Sequence, residues 1–526
     1  MVQMDPVPDT TIREILDRRA REMPDFVYVR FHDQAWTIAE VNDQANRIAN
    51  ALLARGLKPG DRVALMLPSH PDHIIAILAL AKVGLVRVPV NVSLKGAALD
   101  YVFEAFEPHL LIADAAYEEV LRPILTERGF SAVAWRNGGP ADGLTYESLA
   151  AHADNAPPPV APKVDDIVAL TPSSGTTGAP KGVLKSDRTM RAGPMAILRL
   201  TGVQPGGTFL LWEALHHGAG VAVTLAALIQ GVTLAMVDRF SASRFWSEAQ
   251  RYGATHIHYL GSVLPMLLKQ PPAPEDRTHG VGIAWGGGCP VNIWDAIERR
   301  FGVEIREGYG LSELVTFVTA NIGGPPGSIG KPLSWYEVRL TDDEGREVPV
   351  GETGEMCFRA TEPGLGFLGY FRNETASRDS MRGEWFRTGD LARADADGNL
   401  YYAGRKKETI RRRGINISAW EVERVINEHE AVAECALIPV PSELGEDELK
   451  IVIRVAPGAT LDPAALIAWS EERLPHFQVP RFVSFVEEFP KTPTQRIRKA
   501  ELPRTITDAW DREVASPRTA RRKANA

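Results

Sequence analysis

A loop rich in glycine, serine and threonine ends at a single lysine. The stretch TPSSGTTGAPKG (171–182) follows an apolar segment that is typical of a β-strand. Glycines let the backbone turn tightly, hydroxyl and amide groups can then point inward, and Lys181 adds a positive charge. The G-x-x-x-x-G-K-S/T spacing of a Walker A loop is absent. We therefore predict a cradle for phosphate oxygens, and the alternative is a flexible linker.

A second stretch, GYGLSE (308–313), carries an aromatic ring, a hydroxyl and a carboxylate. Tyr309 offers a flat face for a nucleotide base, and Ser312 offers a hydroxyl for a phosphate. Glu313 has the carboxylate oxygens that Mg²⁺ prefers. By itself the hexapeptide is more typical of a surface turn, but its position after the phosphate loop favours a nucleotide site.

Two further stretches could complete that nucleotide site. WGGGCP (285–290) supplies Gly287 and Gly288, where bare backbone could lie against a purine. WFRTGDLA contains Asp390, a carboxylate that we place just after a strand, where it could hold a ribose diol; Arg405 in YYAGRKKE could join it. The alternatives are an ordinary turn for the glycines and a surface ion pair for the charged residues.

These residues need secondary structure to position them, and the first part of the chain alternates strand and helix patterns. DRVALMLP, LVRVPVN and HLLIAD are typical of strands, and PDHIIAILALAKVG is typical of a helix. Such alternation predicts parallel strands covered by helices, and hence an α/β fold. AGVAVTLAALIQGVTLAMV (219–237) carries no charge, but its Gln-Gly breaker predicts a buried helix, a turn and a strand rather than a membrane span.

Beyond Gly404 the pattern changes. GRKKETIRRRGINIS is basic, and a helix–strand–strand–helix–strand pattern follows it. We predict an N-terminal core over residues 1–406, a small α+β C-terminal lid domain over 407–512, and a disordered tail over 513–526.

Composition narrows the function classes. A chain of 526 residues is too long for one core. Its 59 lysines and arginines against 67 acidic residues give a net charge of −8, which argues against a dedicated nucleic-acid binder. The three cysteines have no metal-ligand spacing, and the N-terminus lacks the basic start and apolar run of a signal peptide. We therefore expect a protein of the reducing cytoplasm.

Taken in order, the phosphate loop, Tyr-Gly-x-Ser-Glu, Thr-Gly-Asp, Gly-Arg-x-Lys and a C-terminal basic motif resemble the adenylate-forming enzymes. That superfamily contains acyl-CoA synthetases, luciferases and peptide-synthetase adenylation domains. The resemblance covers residues 10–504, and FSASRFWSEAQRYGATHIHYL and LLKQPP look most like carnitine/crotonobetaine-CoA ligase-like enzymes. It implies a large multi-sheet N-terminal domain, a small mobile C-terminal domain, and an acid–thiol ligase. The implied substrates are a carboxylic acid, CoA, and ATP or acyl-AMP, with Mg²⁺ as cofactor.

The resemblance also implies a role for each motif residue. The residues that would cradle phosphates are Ser173, Ser174, Thr176, Thr177 and Lys181. The residues that would enclose the adenosine are Gly287, Gly288 and Tyr309 at the base and Asp390 and Arg405 at the ribose. Ser312 would meet the α-phosphate, and Glu313 would hold the metal.

Three more assignments lie outside the nucleotide. Lys407 would be the hinge between the domains, and Gly414 would lie where the pantetheine tunnel meets the small domain. Arg413, the last of the triplet RRR (411–413), could approach CoA phosphates; the alternative is a solvated charged face.

The acyl pocket is implied by LHHGAG, whose His216 and His217 would line it. The proline that is usual three places before the first histidine is Glu213 here, so this sequence departs from the family pattern. The surrounding residues are apolar, and the acid itself is not readable from them.

Arg496 is the largest departure. The family motif ends Pro-x-x-x-x-Gly-Lys, and the same register here ends in Gln495 and Arg496. That lysine bridges the substrate carboxylate and the α-phosphate, and the planar fork of arginine cannot always occupy its place. Losing one well-aimed donor typically costs about a hundredfold to a thousandfold in rate. Lys491 and Lys499 are possible substitutes but lie out of register.

We therefore hypothesise an acyl-CoA ligase in which thioesterification is intact and adenylation is weak or absent, with acyl-AMP supplied by a separate adenylating enzyme. The alternatives are a complete two-step synthetase that tolerates Arg496, and an enzyme that loads a carrier protein. A binding protein without turnover is disfavoured by Lys181, Glu313 and Asp390. The resemblance leaves a homodimer open.

Overall fold

The computed structural model describes residues 9–139, 143–173, 181–261, 263–412, 415–441, 447–491 and 497–515. They divide into two units. The large unit comprises the described residues within Met1–Gly175, Ala179–Val338 and Phe358–Phe386. The small unit comprises those within Arg339–Cys357 and Arg387–Ala526. The α/β class is confirmed, whereas the boundary at residue 406 stays a prediction.

The large unit contains a six-stranded sheet that carries the phosphate loop. Its spatial order is Val133–Arg136, Leu110–Asp114, Arg62–Met66, Val86–Pro89, Ile167–Pro172 and Gly182–Ser186. All pairs are parallel except the last, which is antiparallel. The strands at the middle of the sheet are almost entirely buried because helices cover parallel sheets on both faces. The predicted alternation of strands and helices is confirmed.

A second, seven-stranded sheet of the large unit carries most of the remaining candidate residues. Its order is Glu304–Glu307, Ile283–Gly287, His256–Leu260, Thr208–Leu211, Thr233–Met236, Val27–Phe31 and Gln34–Thr37. Every pair is parallel except the last. The carboxyl ends of the first four strands therefore meet at one edge, where ligands bind in open α/β sheets.

Helices connect and cover these strands. The α-helices of the large unit are Ile12–Glu22, Ile38–Ala54, Pro71–Lys82, Gly96–Phe106, Glu118–Glu127, Tyr146–Ala150, Asp187–Thr201, Gly218–Gln230, Phe245–Tyr252, Val263–Leu268, Glu275–Thr278, Val291–Phe301 and Glu374–Asp379. The charge-free stretch forms a helix, a turn at Gly231 and a strand, as predicted. Gly231 has a φ of 74°, the left-handed conformation that ends many helices. Within the described ranges, no helix is long and apolar enough to cross a membrane.

Two smaller sheets follow along the chain. A pair is formed by Thr319–Ala320 and Lys331–Pro332. The other sheet has the order Tyr336–Thr341, Thr353–Ala360, Trp385–Ala394 and Met381–Arg382, and Leu400–Arg405 also pairs with Trp385–Ala394. This last pairing places Asp390 and Arg405 directly opposite each other.

The small unit also has the predicted helix–strand–strand–helix–strand order. Its elements are the hairpin Thr409–Arg412 and Ile415–Ser418, helix Ala419–Ile426, strands Val432–Pro441 and Asp447–Val455, helix Pro463–Glu471, strands Phe482–Phe485 and Trp510–Asp511, and helix Arg512–Ala515. Its core is built from side chains such as Ile417, Val422, Leu437 and Ile451. Of the predicted tail, residues 513–515 belong to the last helix and the rest lies outside the described residues.

Candidate active site

Lys181, Tyr370 and Glu313 form a cluster in the large unit. Lys181 precedes strand Gly182–Ser186, and its Nζ lies 4.7 Å from the centroid of the Tyr370 ring. The Tyr370 hydroxyl donates a hydrogen bond of 3.0 Å to Oε1 of Glu313. Ser312 is half-buried in the same turn as Glu313. The structure thus brings the predicted phosphate lysine together with the predicted metal ligand and its neighbouring serine.

Ser173 closes the base of the phosphate loop. Its backbone N–H donates to the carbonyl of Lys181 at 2.8 Å, and the N–H of Lys181 points back to Oγ of Ser173 at 3.4 Å. Both loop ends are therefore fixed to each other. The predicted phosphate ligands Ser174, Thr176 and Thr177 lie outside the described residues.

Lys185 is a buried residue of this site that the sequence analysis missed. Its Nζ donates to the carbonyl of Leu314, the residue after Glu313. Burial lowers the pKa of Lys185 to about 8, although the nearby Glu313 carboxylate opposes that shift. Alternation along a strand could have revealed it, because Lys181 and Lys185 are four residues apart and side chains two apart share a face.

Tyr309 follows Gly308, which contacts the glycines of the predicted base site. Its ring stacks on Phe358, with centroids 6.1 Å apart and planes 17° apart. The N–H of Gly308 donates to the carbonyl of Gly286 at 2.8 Å. A Cβ on Gly287 would come within 2.9 Å of the Gly308 carbonyl, so a side chain does not fit there. Predicted base-site residues Gly287 and Tyr309 are therefore brought together by adjacent strands.

Glu307 is a buried residue next to the predicted base site, and the sequence analysis did not predict it. Its buried carboxylate accepts hydrogen bonds from the N–H of Cys289 at 2.5 Å and from the hydroxyl of Tyr259 at 2.9 Å. Burial raises the pKa of Glu307 to about 7, while these donors and the N–H of Gly288 oppose the shift. Glu307 thus fixes the turn through Gly288 and Cys289 relative to the end of its own strand, two residues before Tyr309.

Asp390 and Arg405 form an ion pair in the small unit. Nε of Arg405 lies 3.3 Å from Oδ1 of Asp390, and their side chains are only 26% and 12% exposed. Burial lowers the pKa of Arg405, but Asp390, Tyr402 and Glu408 together more than offset this, and the pKa is raised. Our placement of Asp390 just after a strand is wrong. It lies within strand Trp385–Ala394, directly opposite Arg405 on the neighbouring strand.

His216 and His217 lie side by side in the large unit, with ring centroids 4.3 Å apart. Burial lowers the pKa of His216 to about 2, helped by His217, His73 and Arg87, and burial also lowers the pKa of His217. Both imidazoles are therefore neutral at pH 7. The guanidinium of Arg87 donates to the carbonyl of Leu215 at 3.4 Å, just before the two histidines.

The two lysines near the C-terminal motif are engaged within the small unit. Nζ of Lys491 lies 2.6 Å from Glu434. Nζ of Lys499 lies 2.8 Å from both Glu408 and Glu423. Arg496 itself lies outside the described residues.

The predicted hinge and CoA residues are only partly described. Lys407 belongs to the short 3-10 helix Lys406–Glu408. Arg412, in the basic triplet, is 4% exposed, pairs with Glu448 and donates to the carbonyl of Phe477 at 2.9 Å. It is therefore neither a solvated charge nor open to CoA. Arg413 and Gly414 lie outside the described residues.

The donor set at Glu313 fits Mg²⁺ held together with a substrate. Among the described residues, no group of three histidine, cysteine or acidic side chains could form a dedicated metal cage. Mg²⁺ is typically held by one or two carboxylates, by waters and by substrate phosphates. A single carboxylate beside a phosphate loop matches that pattern.

Comparison with known proteins agrees with this geometry. The profile of the family described as AMP-binding enzyme matches residues 16–371, and that of the AMP-binding enzyme C-terminal domain matches residues 421–496. The crotonobetaine/carnitine–CoA ligase of Citrobacter koseri is 27% identical over 482 residues, covering 89% of this chain and 93% of the relative. That of Salmonella choleraesuis is 27% identical over 519 residues, covering 95% and 100%.

Solved structures share the fold over nearly the whole chain. An anthranilate CoA ligase in complex with anthranoyl-AMP has a TM-score of 0.85 at 25% identity and covers 98% of both chains. A benzoate CoA ligase from Burkholderia xenovorans has a TM-score of 0.83 at 24% identity, covering 93% of this chain and 99% of its own. With the first family profile matching well over half of its length, the chain belongs to the AMP-binding enzyme family.

Proposed function

We propose that this chain is an acyl-CoA ligase, which joins a carboxylic acid to CoA through an acyl-adenylate. The observation that carries the proposal is the cluster of Lys181, Tyr370 and Glu313 beside Ser312, where a cation, a phenol and a carboxylate meet at a phosphate loop. The names of the relatives support it, since they are CoA ligases, and one was solved with an acyl-adenylate.

The first half-reaction forms the adenylate. A carboxylate oxygen of the acid attacks the α-phosphorus of ATP, the bond to the bridging oxygen breaks, and pyrophosphate leaves. Lys181 would place positive charge against the phosphate oxygens, and Ser312 would donate to the α-phosphate. Glu313 would hold Mg²⁺, which neutralises phosphate charge when bound. Tyr309 would hold the base.

The second half-reaction transfers the acyl group. The CoA sulfur attacks the carbonyl carbon of the acyl-adenylate, and AMP leaves with the electron pair of the broken bond. We assign the CoA side to Arg413 and Gly414 and the hinge to Lys407. His216 and His217 would line the acyl pocket as neutral imidazoles, since burial keeps the pKa of both low.

Adenylation is the weaker half-reaction in this proposal. Arg496 stands where the family motif has lysine, and its fork replaces a compact ammonium. The two neighbouring lysines offer no substitute, because Lys491 and Lys499 are both held by carboxylates of the small unit. Acyl-AMP would then come from a separate adenylating enzyme.

The proposal is tested by supplying the substrates of each half-reaction separately. Given a panel of preformed acyl-adenylates and CoA, wild type and Arg496→Lys should form acyl-CoA and AMP at equal rates. Replacing CoA by a phosphopantetheinylated carrier protein distinguishes a carrier-loading enzyme. Failure to form acyl-CoA, both from acyl-AMP and from acid with ATP and Mg²⁺, would contradict the assignment.

A further inference from the structure

Tyr370 is anchored to the strand that follows Lys181. It forms an antiparallel bridge with Val183, and the N–H of Phe371 donates to the carbonyl of Gly182 at 2.7 Å. The residue is only 7% exposed, so neighbouring atoms leave its ring little freedom to turn. The Tyr370 side chain is therefore held in one place relative to the end of the phosphate loop.

The ring and the hydroxyl of Tyr370 contact two different groups. Nζ of Lys181 lies 4.7 Å from the centroid of the ring, which is a cation–π distance. The hydroxyl donates a hydrogen bond of 3.0 Å to Oε1 of Glu313. One side chain thus touches both the lysine assigned to the phosphates and the carboxylate assigned to the metal, through two chemically separate parts.

The carboxylate of Glu313 is held at one oxygen and open at the other. Lys185 fixes the backbone beside it, because its Nζ donates to the carbonyl of Leu314. The Tyr370 hydroxyl then restrains the side chain at Oε1. Oε2 has no hydrogen-bond donor among the described residues, and Glu313 is only partly buried, so a ligand can reach that oxygen.

This arrangement suits one kind of cation. Mg²⁺ requires near-ideal octahedral geometry and is typically held through one or two carboxylates, waters and substrate phosphates. Ca²⁺ takes about six to eight oxygen ligands and has room for both oxygens of one carboxylate. An Oε1 that already accepts the phenol hydrogen is a poorer metal ligand, so Glu313 offers a metal one oxygen rather than two.

We propose that Tyr370 is a positioning residue that holds Glu313 in this one-oxygen geometry and makes the nucleotide site selective for Mg²⁺ over Ca²⁺. The selectivity rests on the proposed function, because Glu313 meets a metal ion only when the chain binds ATP. Hydrogen bonds to metal-ligating carboxylates orient them and typically change metal affinity by about tenfold to a hundredfold. Tyr370→Phe removes the hydroxyl and keeps the ring, so the two contacts of Tyr370 can be separated.

Isothermal titration calorimetry of ATP, with saturating Mg²⁺, with saturating Ca²⁺ or with EDTA, tests the proposal without turnover. Tyr370→Phe should weaken ATP binding about tenfold in Mg²⁺, because Glu313 loses its restraint. Binding in Ca²⁺ should weaken less, since the freed Oε1 can join Oε2 on the larger ion, so the preference of wild type for Mg²⁺ should shrink. Binding in EDTA should not change, because the ring still lies against Lys181.

Three further variants sharpen the test. Tyr146→Phe is the matched control, since the Tyr146 hydroxyl is a buried donor in the same unit that bonds to the carbonyl of Asp72 at 3.1 Å, and it should keep all wild-type affinities. Tyr370→Leu removes the ring as well and should also weaken binding in EDTA. In a Glu313→Ala protein, adding Tyr370→Phe should not weaken binding in Mg²⁺ further, because the hydroxyl acts through Glu313.

A wild type that binds ATP equally well in Mg²⁺ and Ca²⁺ would overturn the inference. An unchanged preference in Tyr370→Phe, a loss of equal size in EDTA, or a further loss when Tyr370→Phe is added to Glu313→Ala would overturn it too. These outcomes leave the proposed function standing, because wild type still binds ATP. No binding of ATP to wild type under any of the three conditions would overturn the proposed function, and this inference with it.

Discussion

Two lysines at the candidate site of the large unit and two lysines near the C-terminal motif of the small unit have different partners. In the large unit, Lys181 lies over the ring of Tyr370, and Lys185 donates to the carbonyl of Leu314. Within the described ranges, neither forms an ion pair with a carboxylate. Lys185 is buried, which is costly for an ammonium without a carboxylate partner, whereas Lys181 is exposed. The charge of each remains available to an anionic ligand.

In the small unit, Lys491 pairs with Glu434, and Lys499 lies between Glu408 and Glu423. Burial lowers the pKa of Lys499, but the two carboxylates more than offset it, and the pKa is raised. Such lysines hold elements of the fold together. The comparison therefore distinguishes Lys181 and Lys185, whose charge we propose acts on an anionic ligand, from two lysines that stabilise the fold.

The largest effect is expected at the phosphate loop. In the Arg496→Lys protein, where adenylation is expected to be measurable, adding Lys181→Met should lower acyl-AMP formation by about a hundredfold to a thousandfold, because it removes the cation proposed to stabilise developing phosphate charge. Lys331→Met, an exposed position in the same unit, is the matched control and should keep the rate of the Arg496→Lys protein. Equal rates for the two variants would remove the distinction between the lysines.

Lys499→Met should have the opposite profile. It leaves Glu408 and Glu423 facing each other without a cation. Breaking a buried pair costs about 3–5 kcal/mol, and the 21% exposure of Lys499 reduces that to about 2–3 kcal/mol of unfolding free energy. Urea unfolding measures this loss, and Lys499→Arg should restore most of it. A slower half-reaction per folded molecule, with unchanged stability, would refute the structural role.

Lys185→Met should raise the free energy of unfolding and yet lower the rate of acyl-AMP formation. The pKa of Lys185 falls from its usual 10.5 to about 8 on folding, so keeping it charged at pH 7 costs up to about 3 kcal/mol. The unfolded state binds more protons between those pH values, so wild-type stability rises with pH there.

The gain from Lys185→Met should therefore be full at pH 7 and vanish toward pH 10.5, as measured by thermal unfolding across that range. When Lys185→Met is made in the Arg496→Lys protein, acyl-AMP formation should fall, because the variant loses the contact to Leu314 and the cation near Glu313. A destabilised variant with normal activity would show that Lys185 serves the fold.

The smallest effect is expected at Lys491. Its pair with Glu434 is about one-quarter exposed on both sides, and such pairs contribute about 0–1 kcal/mol. Lys491→Met should therefore change neither the urea midpoint nor either half-reaction appreciably. A large loss of adenylation in this variant would instead assign to Lys491 the role that the family motif gives to its lysine.

Local patterns predicted much of the fold. The alternation of apolar strands with helices, and the glycine that ends the helix at Gln230, follow from residues close in sequence. Lys181 and Glu313 were also found this way, since each belongs to a short contiguous motif. Their meeting through Tyr370 was not predicted, because Tyr370 is 57 residues from Glu313 along the chain.

Other features depend on which strands become neighbours. The pairing of Glu213 with His258 and the burial of Glu307 depend on the order of the strands in the sheet. That order cannot be predicted from patterns of neighbouring residues. Asp390 was misplaced because a glycine before it is typical of a strand end, whereas the strand continues through Gly389, despite its φ of 72°, to Ala394. Arg412 belongs to a run of charges in the sequence, whereas its burial depends on partners far along the chain, the carboxylate of Glu448 and the carbonyl of Phe477.

Carboxylate-dependent exchange of pyrophosphate into ATP, measured for wild type and Arg496→Lys over the same panel of acids, tests the central claim most directly. The account predicts weak or no exchange in wild type and a gain in Arg496→Lys, with thioesterification from acyl-AMP unchanged. Equal, robust exchange in both proteins would contradict it and would make this chain a complete two-step ligase.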